Sequence, residues 1–244
     1  MIRVREFYKY YKDTQAVAGL SFTVAPGQIL ALVGPNGAGK TTTLRALAGI
    51  IPATTGLLEI GGFDIARDTM RAKQVLGYVP DDPALFGSLT LYEHLLFAAS
   101  AYGVQDREQR AENLLQEFGI VDKRDDLAQE VSRGVRQKIA ICAAYIHDPR
   151  AVLFDEPMTG LDPQGIHVLK HSIRRRVASG TAVLISSHLL ALIEDLCTHL
   201  LVLDKGRCLY SGSLQEARAE SLSKGSQGTL EAVFQGIIGG RPPP

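Results

Sequence analysis

The run Gly34-Pro35-Asn36-Gly37-Ala38-Gly39-Lys40-Thr41 has the spacing G-x-x-x-x-G-K-[ST], and a further hydroxyl follows at Thr42. Glycine takes positive φ without a Cβ clash, so such a run can wrap its amides closely around an anion. Lys40 supplies a charge for the β- and γ-phosphates of a nucleotide, and the Thr41 hydroxyl is an oxygen ligand suited to Mg²⁺. A second group of chemical residues lies in Ala151-Val152-Leu153-Phe154-Asp155-Glu156-Pro157, where an apolar run ends in two carboxylates. Asp155 is suited to holding Mg²⁺ through water, and Glu156 to polarising a water that attacks the γ-phosphate.

These residues need elements to aim them. Ile29–Val33 reads as a buried parallel strand entering the glycine-rich loop, and the residues from Thr42 to Ala48 read as a helix leaving it. The apolar run before Asp155 reads as a strand whose C-terminal tip carries the acids, which is where open α/β sheets place ligands. Further strands are expected at Val75–Val79, Ala182–Ser186 and Leu200–Leu203, so the fold is α/β with a largely parallel sheet. Two glycine-punctuated hairpins add an antiparallel part: Leu57–Ile60 with Gly61-Gly62, and Leu201–Leu203 returning through Lys205-Gly206 to Arg207–Tyr210.

Between Ala84 and Pro149 the strand pattern gives way to helices. Thr90 with Glu93 forms a capping box, Asp106 with Gln109 resembles a second, and Ser132 is placed to cap a third helix. Asp162-Pro163 is another start, an N-cap followed by proline at the first helical position. The four bases between Lys170 and Arg176 fit a solvated helix face. The expected organisation is one domain over 1–244: an α/β core at 1–83 and 150–220, a helical insertion at 84–149, and a mobile tail at 221–244 ending in Pro242-Pro243-Pro244.

Composition narrows the partners. Twenty-six basic residues balance 26 acidic ones, so nothing suggests nucleic-acid binding, which shows a basic excess. Cys142, Cys197 and Cys208 have no metal spacing and fit a reducing compartment. The N-terminus lacks a signal-peptide core, and no apolar run approaches the roughly 20 residues of a membrane span. The expectation is a soluble chain that reaches a membrane only through a partner.

Asp155-Glu156-Pro157-Met158-Thr159-Gly160-Leu161-Asp162, with Ser186-Ser187-His188 downstream, resembles the ATP-binding subunits of ABC transporters over nearly the whole chain. The resemblance implies a P-loop NTPase (RecA-like) core with an inserted helical signature subdomain, ATP and Mg²⁺ as cofactors, and ATP hydrolysis coupled to transport. It implies that Tyr11 stacks on adenine, that Gly34 to Thr42 hold the phosphates, and that His188 contacts the γ-phosphate. It also implies a dimer with a second copy or a homologous subunit. Ser132, Arg133, Gly134 and Asp162 then meet the ATP of the opposite subunit. The partners implied are transmembrane permease chains, with this chain cytoplasmic and peripheral on the inner face of the cell membrane.

Two departures stand out. The usual L-S-G-G-Q signature is Val131-Ser132-Arg133-Gly134-Val135 here, and the glutamine expected after Pro80 is Asp81. A carboxylate at Asp81 remains a ligand for Mg²⁺. These features and Leu230-Glu231-Ala232-Val233-Phe234 near the end tilt the resemblance toward exporters. The competing reading is a soluble ABC-type ATPase of assembly or repair without a permease; a small-molecule kinase on the same loop has no use for the signature segment. The apolar cluster Pro83-Ala84-Leu85-Phe86 is a plausible docking surface for a partner helix.

Overall fold

The computed structural model describes residues 1–223 and 227–239. The chain opens with an antiparallel hairpin, β1 (Ile2–Tyr11) and β2 (Thr14–Val24). Next, β3 (Ile29–Val33) and α1 (Lys40–Leu47) flank the glycine-rich loop. β4 (Thr55–Ile60), β5 (Phe63–Asp64), α2 (Thr69–Gln74) and β6 (Leu76–Val79) follow. Three helices come in succession: α3 (Leu91–Ala101), α4 (Arg107–Glu117) and α5 (Arg133–Tyr145). The alternation resumes with β7 (Ala151–Asp155), α6 (Pro163–Ala178), β8 (Ala182–Ser186), α7 (Leu190–Ile193) and β9 (His199–Asp204). β10 (Arg207–Ser213), α8 (Leu214–Ser223) and α9 (Leu230–Gly239) complete the described elements.

The strands form two sheets. One is antiparallel, in the order β2-β1-β4-β5; the other has the order β10-β9-β3-β8-β7-β6 and is parallel except for β10 at its edge. β3, β7 and β8 are buried along their whole length, as a parallel sheet covered on both faces requires. The period of two then divides their side chains. Ala31, Val33, Val152, Phe154, Val183 and Ile185 join one apolar cluster with α3, α4 and α5. Leu30, Leu32, Leu153 and Leu184 join the other, beneath the antiparallel sheet and α1. The helices from residue 84 onward therefore share a core with one face of the sheet.

The expected strands are all present, and each expected hairpin forms, with Ile60 opposite Phe63 and Cys208 opposite Leu203. The capping box at α3 closes in both directions: Glu93 N–H donates to Thr90 Oγ1 at 3.1 Å, and Thr90 N–H donates to Glu93 Oε2 at 2.8 Å. Ser132 Oγ accepts from Val135 N–H at 3.4 Å, and Asp162 Oδ1 from Gly165 N–H at 2.8 Å.

Other expectations are corrected. Asp106 makes no side-chain cap to α4, because its backbone, at φ −93° and ψ 45°, is not the extended one of an N-cap; Gln109 turns along the helix to Asn113 at 3.0 Å. The bases of α6 are not simply solvated. Lys170 and Arg174 share Asp195 at 2.7 and 2.6 Å, while Arg175 and Arg176 share Glu117 at 2.6 and 3.0 Å. Within the stretch expected as a mobile tail, 221–244, α8 runs on to Ser223 and α9 covers Leu230–Gly239, where Leu230 and Val233 are buried in the core. Pro242-Pro243-Pro244 lies outside the described residues.

Phe154 is fully buried and meets Tyr145 edge-to-face at 6.1 Å between ring centres. Truncation there removes the joint between sheet and helices. Phe154→Ala is expected to cost about 3–5 kcal/mol of stability. Urea unfolding would show it as a lower midpoint at an unchanged slope.

Candidate nucleotide site

The glycine-rich loop is pinned at two points, Gly34 and Gly39, where no side chain could stand. Gly39 has φ +103°, and a Cβ on it would lie 2.7 Å from the carbonyl oxygen of Ala16. A Cβ on Gly34 would lie 2.2 Å from the carbonyl oxygen of Leu203. The loop thus passes between the β1–β2 hairpin and β9, and only backbone fits. Gly39 is also the N-cap of α1 and offers no side-chain cap, so the first amides of that helix are left for an anion.

Lys40 is only 8% exposed. Its ammonium donates to the carbonyls of Gly34 at 2.7 Å and Pro35 at 3.1 Å, curling back over the loop. Burial lowers its pKa below the ordinary lysine range, and the fields of Glu156 and Asp155 act in the opposite direction.

Asp155 ends β7 and Ser186 ends β8, and the parallel register sets them side by side. Ser186 Oγ donates to Asp155 Oδ1 at 2.6 Å, and Thr41 Oγ1 donates to the same oxygen at 3.3 Å. Burial pushes the Asp155 carboxyl up; the bonds from Ser186 and Thr41 pull it down, and the fields of Glu156 and Asp81 add to burial. Ser186 has no assigned part in the sequence reading beyond its place in Ser186-Ser187-His188. Its signal was the strand pairing, which sets it opposite Asp155.

Glu156 takes φ +50°, a left-handed conformation unusual for a side-chain-bearing residue. Its N–H is held by Ser186, with the carbonyl and Oγ each at 3.2 Å. Because of this bend Glu156 leaves the strand line and turns into the cleft. Its Oε2 accepts from the N–H of His188 at 3.2 Å and lies 2.9 Å from His188 Nδ1.

Asn36 to Thr42, Asp81, Glu156 and His188 line one cleft, of about 450 Å³. Ala16, Thr159 and Arg133 line it too, and sequence reasoning singled out neither Ala16 nor Thr159. Asp155 sits behind Thr41. Other expected site residues stand apart from the cleft wall. Tyr11 is at the exposed end of β1, with the Lys9 ammonium 4.9 Å from its ring centre. Ser132 caps α5, Gly134 packs under the carbonyl of Gly160, and Asp162 is engaged in capping α6.

Fold and site together define a P-loop ATPase of the α/β class. Residues 17–159 match the family model described as "ABC transporter". The linearmycin resistance ATP-binding protein LnrL of Bacillus subtilis (strain 168) is 33% identical over 215 residues, covering 87% of this chain and 69% of that protein. The Nod factor export ATP-binding protein I of Paraburkholderia xenovorans (strain LB400) is 37% identical over 207 residues, covering 84% of this chain and 68% of that one. A solved ATP-binding subunit of an ABC transporter superposes with a TM-score of 0.91 at 31% identity, covering 98% of this chain and 99% of its own. The chain belongs to the ABC transporter family, as an ATP-binding, ATP-hydrolysing subunit. Among the described residues no helix is long and apolar enough to cross a membrane.

A carboxyl whose pKa rises on folding binds protons more tightly in the folded state, so its charge costs stability once the pH exceeds that range. In metal-free buffer, Asp155→Asn is expected to raise the melting temperature at neutral pH. The gain should shrink on acidification through the carboxylate range, as wild-type Asp155 is itself neutralised. A gain independent of pH would contradict the assignment.

Proposed function

We propose that this chain is the ATPase of an exporter. Two copies sandwich two ATP molecules, hydrolysis reopens them, and separate permease chains are driven from the cytoplasmic face of the cell membrane. Subunits of this family dimerise and work with membrane permeases. Two relatives bear names of export and of resistance, which supports outward transport. The helical segment Leu230–Gly239 contains the Leu-Glu-x-x-Phe stretch that tilts the sequence the same way.

The observation that carries the catalytic reading is the bend at Glu156. It delivers a carboxylate to the cleft beside Lys40 and Thr41 while Ser186 and His188 fix its backbone and its orientation. In this reading Glu156 accepts a proton from the attacking water, a role worth roughly 10²–10⁴-fold in rate. His188, held by Glu156, meets the γ-phosphate. Lys40 leaves the carbonyls of Gly34 and Pro35 for the β- and γ-phosphates, and the amides from Gly34 to Thr42 cradle them. Tyr11 stacks on the adenine. Ser132, Gly134 and Asp162 face the second copy's ATP, where the capped N-terminus of α5 offers amides and positive dipole to phosphate, and Arg133 joins them on leaving Asp81 of its own cleft.

The donor set fits Mg²⁺. Thr41 Oγ1 and Asp155 Oδ1 lie 3.3 Å apart, and Asp81 stands on the same cleft wall. Among the described residues no cluster of three acids or histidines is prepared for a metal. Mg²⁺ needs none, because it is usually held by one or two carboxylates plus substrate phosphates. When bound it neutralises phosphate charge; Thr41 and Asp155 hold it, with Asp81 beside them.

The permease has a place to dock. A groove of about 380 Å³ between the sheet and the helices is lined by Ile50, Tyr78, Pro83, Leu85, Tyr102 and Ala140. Ile50 is 56% exposed at this groove, while Phe86, stacked edge-on with Phe97, is 57% exposed nearby. Exposed apolar surface of this kind suits a helix of another chain.

Glu156→Gln is expected to lower ATP turnover by at least about a hundredfold. ATP-dependent dimerisation, read by size-exclusion chromatography, should persist because every binding group remains. Near wild-type turnover would remove Glu156 from the mechanism. The permease is tested by affinity purification from solubilised membranes: a multi-span chain should copurify, and recovery without one would overturn that part.

A further inference from the structure

The cleft wall carries more negative than positive charge. Asp81 and Glu156 line it and Asp155 sits just behind, against Lys40. One more cation reaches this wall from the helical side. Arg133, the first residue of α5, sends its guanidinium to Asp81, with Nη2 3.1 Å from Oδ1 and 3.5 Å from the backbone oxygen. Its aliphatic stem lies across Gly160, where φ is +82° and a Cβ would come within 3.3 Å of Arg133 Cδ. Gly160 is thus the platform that lets Arg133 span from the signature segment to the loop after β6.

Both side chains are about half exposed, 46% and 53%, so the pair is screened and weak. A pair of that kind biases an equilibrium by no more than about fivefold. It is strong enough to bias and weak enough for a divalent cation to displace. Arg133 and Asp81 are the two departures named in the sequence reading. Here the two departures are oppositely charged and in contact, so they form one feature.

We infer that Arg133 is a positioning residue for the metal site, the exchangeable counter-ion that covers the Asp81 carboxylate until Mg²⁺ takes it; this rests on the reading of Asp81 as facing Mg²⁺. While the pair is closed, the Asp81 charge is masked, and nucleotide phosphates approach a less negative wall. With Mg²⁺ bound, Asp81 would face it and Arg133 would be released. The N-terminus of α5 is then untied from the loop after β6, and its guanidinium is free for a phosphate of the second copy. Arg133 therefore favours nucleotide without metal and opposes the loading of metal.

That pair of effects has opposite signs, which a merely structural role would not produce. ADP binding is measured by calorimetry in EDTA, and Mg²⁺ is then titrated into the ADP complex, so that no turnover is needed. Arg133→Gln is expected to weaken metal-free ADP binding by up to about fivefold and to lower the half-saturating Mg²⁺ concentration by a similar factor. Arg133→Lys, keeping the charge, should restore both values toward wild type. Asp81→Asn should raise the half-saturating Mg²⁺ concentration without weakening metal-free binding. Shifts of the same sign in Arg133→Gln, or none, would overturn the exchange. An unchanged Mg²⁺ titration in Asp81→Asn would instead remove Asp81 from the metal site, and wild-type protein failing to bind ADP would overturn the nucleotide site itself. Circular dichroism of each variant confirms folding; at these half-exposed positions a native spectrum is expected.

Discussion

The site depends on one hydrogen bond, from Ser186 Oγ to Asp155 Oδ1 at 2.6 Å, made where two parallel strands end together. A carboxylate at a buried strand tip is costly unless its oxygens are occupied. Ser186 and Thr41 occupy one of them, which lets Asp155 remain beneath the loop. The same serine holds the backbone of Glu156 in its left-handed turn. Remove the register of β7 on β8, and Asp155, the bend and the Glu156 carboxylate lose their common anchor.

The register itself is set by burial on both faces. A shift of one residue would send Phe154 to the cluster beneath the antiparallel sheet and Leu153 to the helices, exchanging shapes that fit neither side. The chemistry at the strand tips is thus aligned by apolar side chains several residues away. In the same way, the phosphate loop is shaped by the carbonyls of Ala16 and Leu203, which exclude any Cβ at Gly39 and Gly34.

Local features were legible in the sequence. The loop, the two acids and the caps at Thr90, Ser132 and Asp162 each depend on a few adjacent residues, and the structure places each on the element expected. Asp106 was misread because an acceptor beside a polar N3 residue is not enough; Gln109 found Asn113 instead. The β1–β2 hairpin was overlooked because its strands are bulged and partly exposed, so the alternation that marks strands is broken. The pairing of Asp81 with Arg133, 52 positions apart, could not be read from spacing at all. Nor could the acids that claim the bases of α6, since Glu117 is 59 residues from Arg176. Helix Leu230–Gly239 was taken for tail because its neighbours are polar and glycine-containing, although Leu230 and Val233 find the core.

The two arginines that share Glu117 give α6 a mechanical meaning. Glu117 is the last residue of α4, and Arg175 and Arg176 lie in the last turn of α6, so these two helix ends are fastened together. The other end of α6 starts at Asp162, six residues beyond Glu156. A helix of 16 residues is a rod of about 24 Å. The helical layer and the segment that carries Glu156 are therefore joined end to end by one helix.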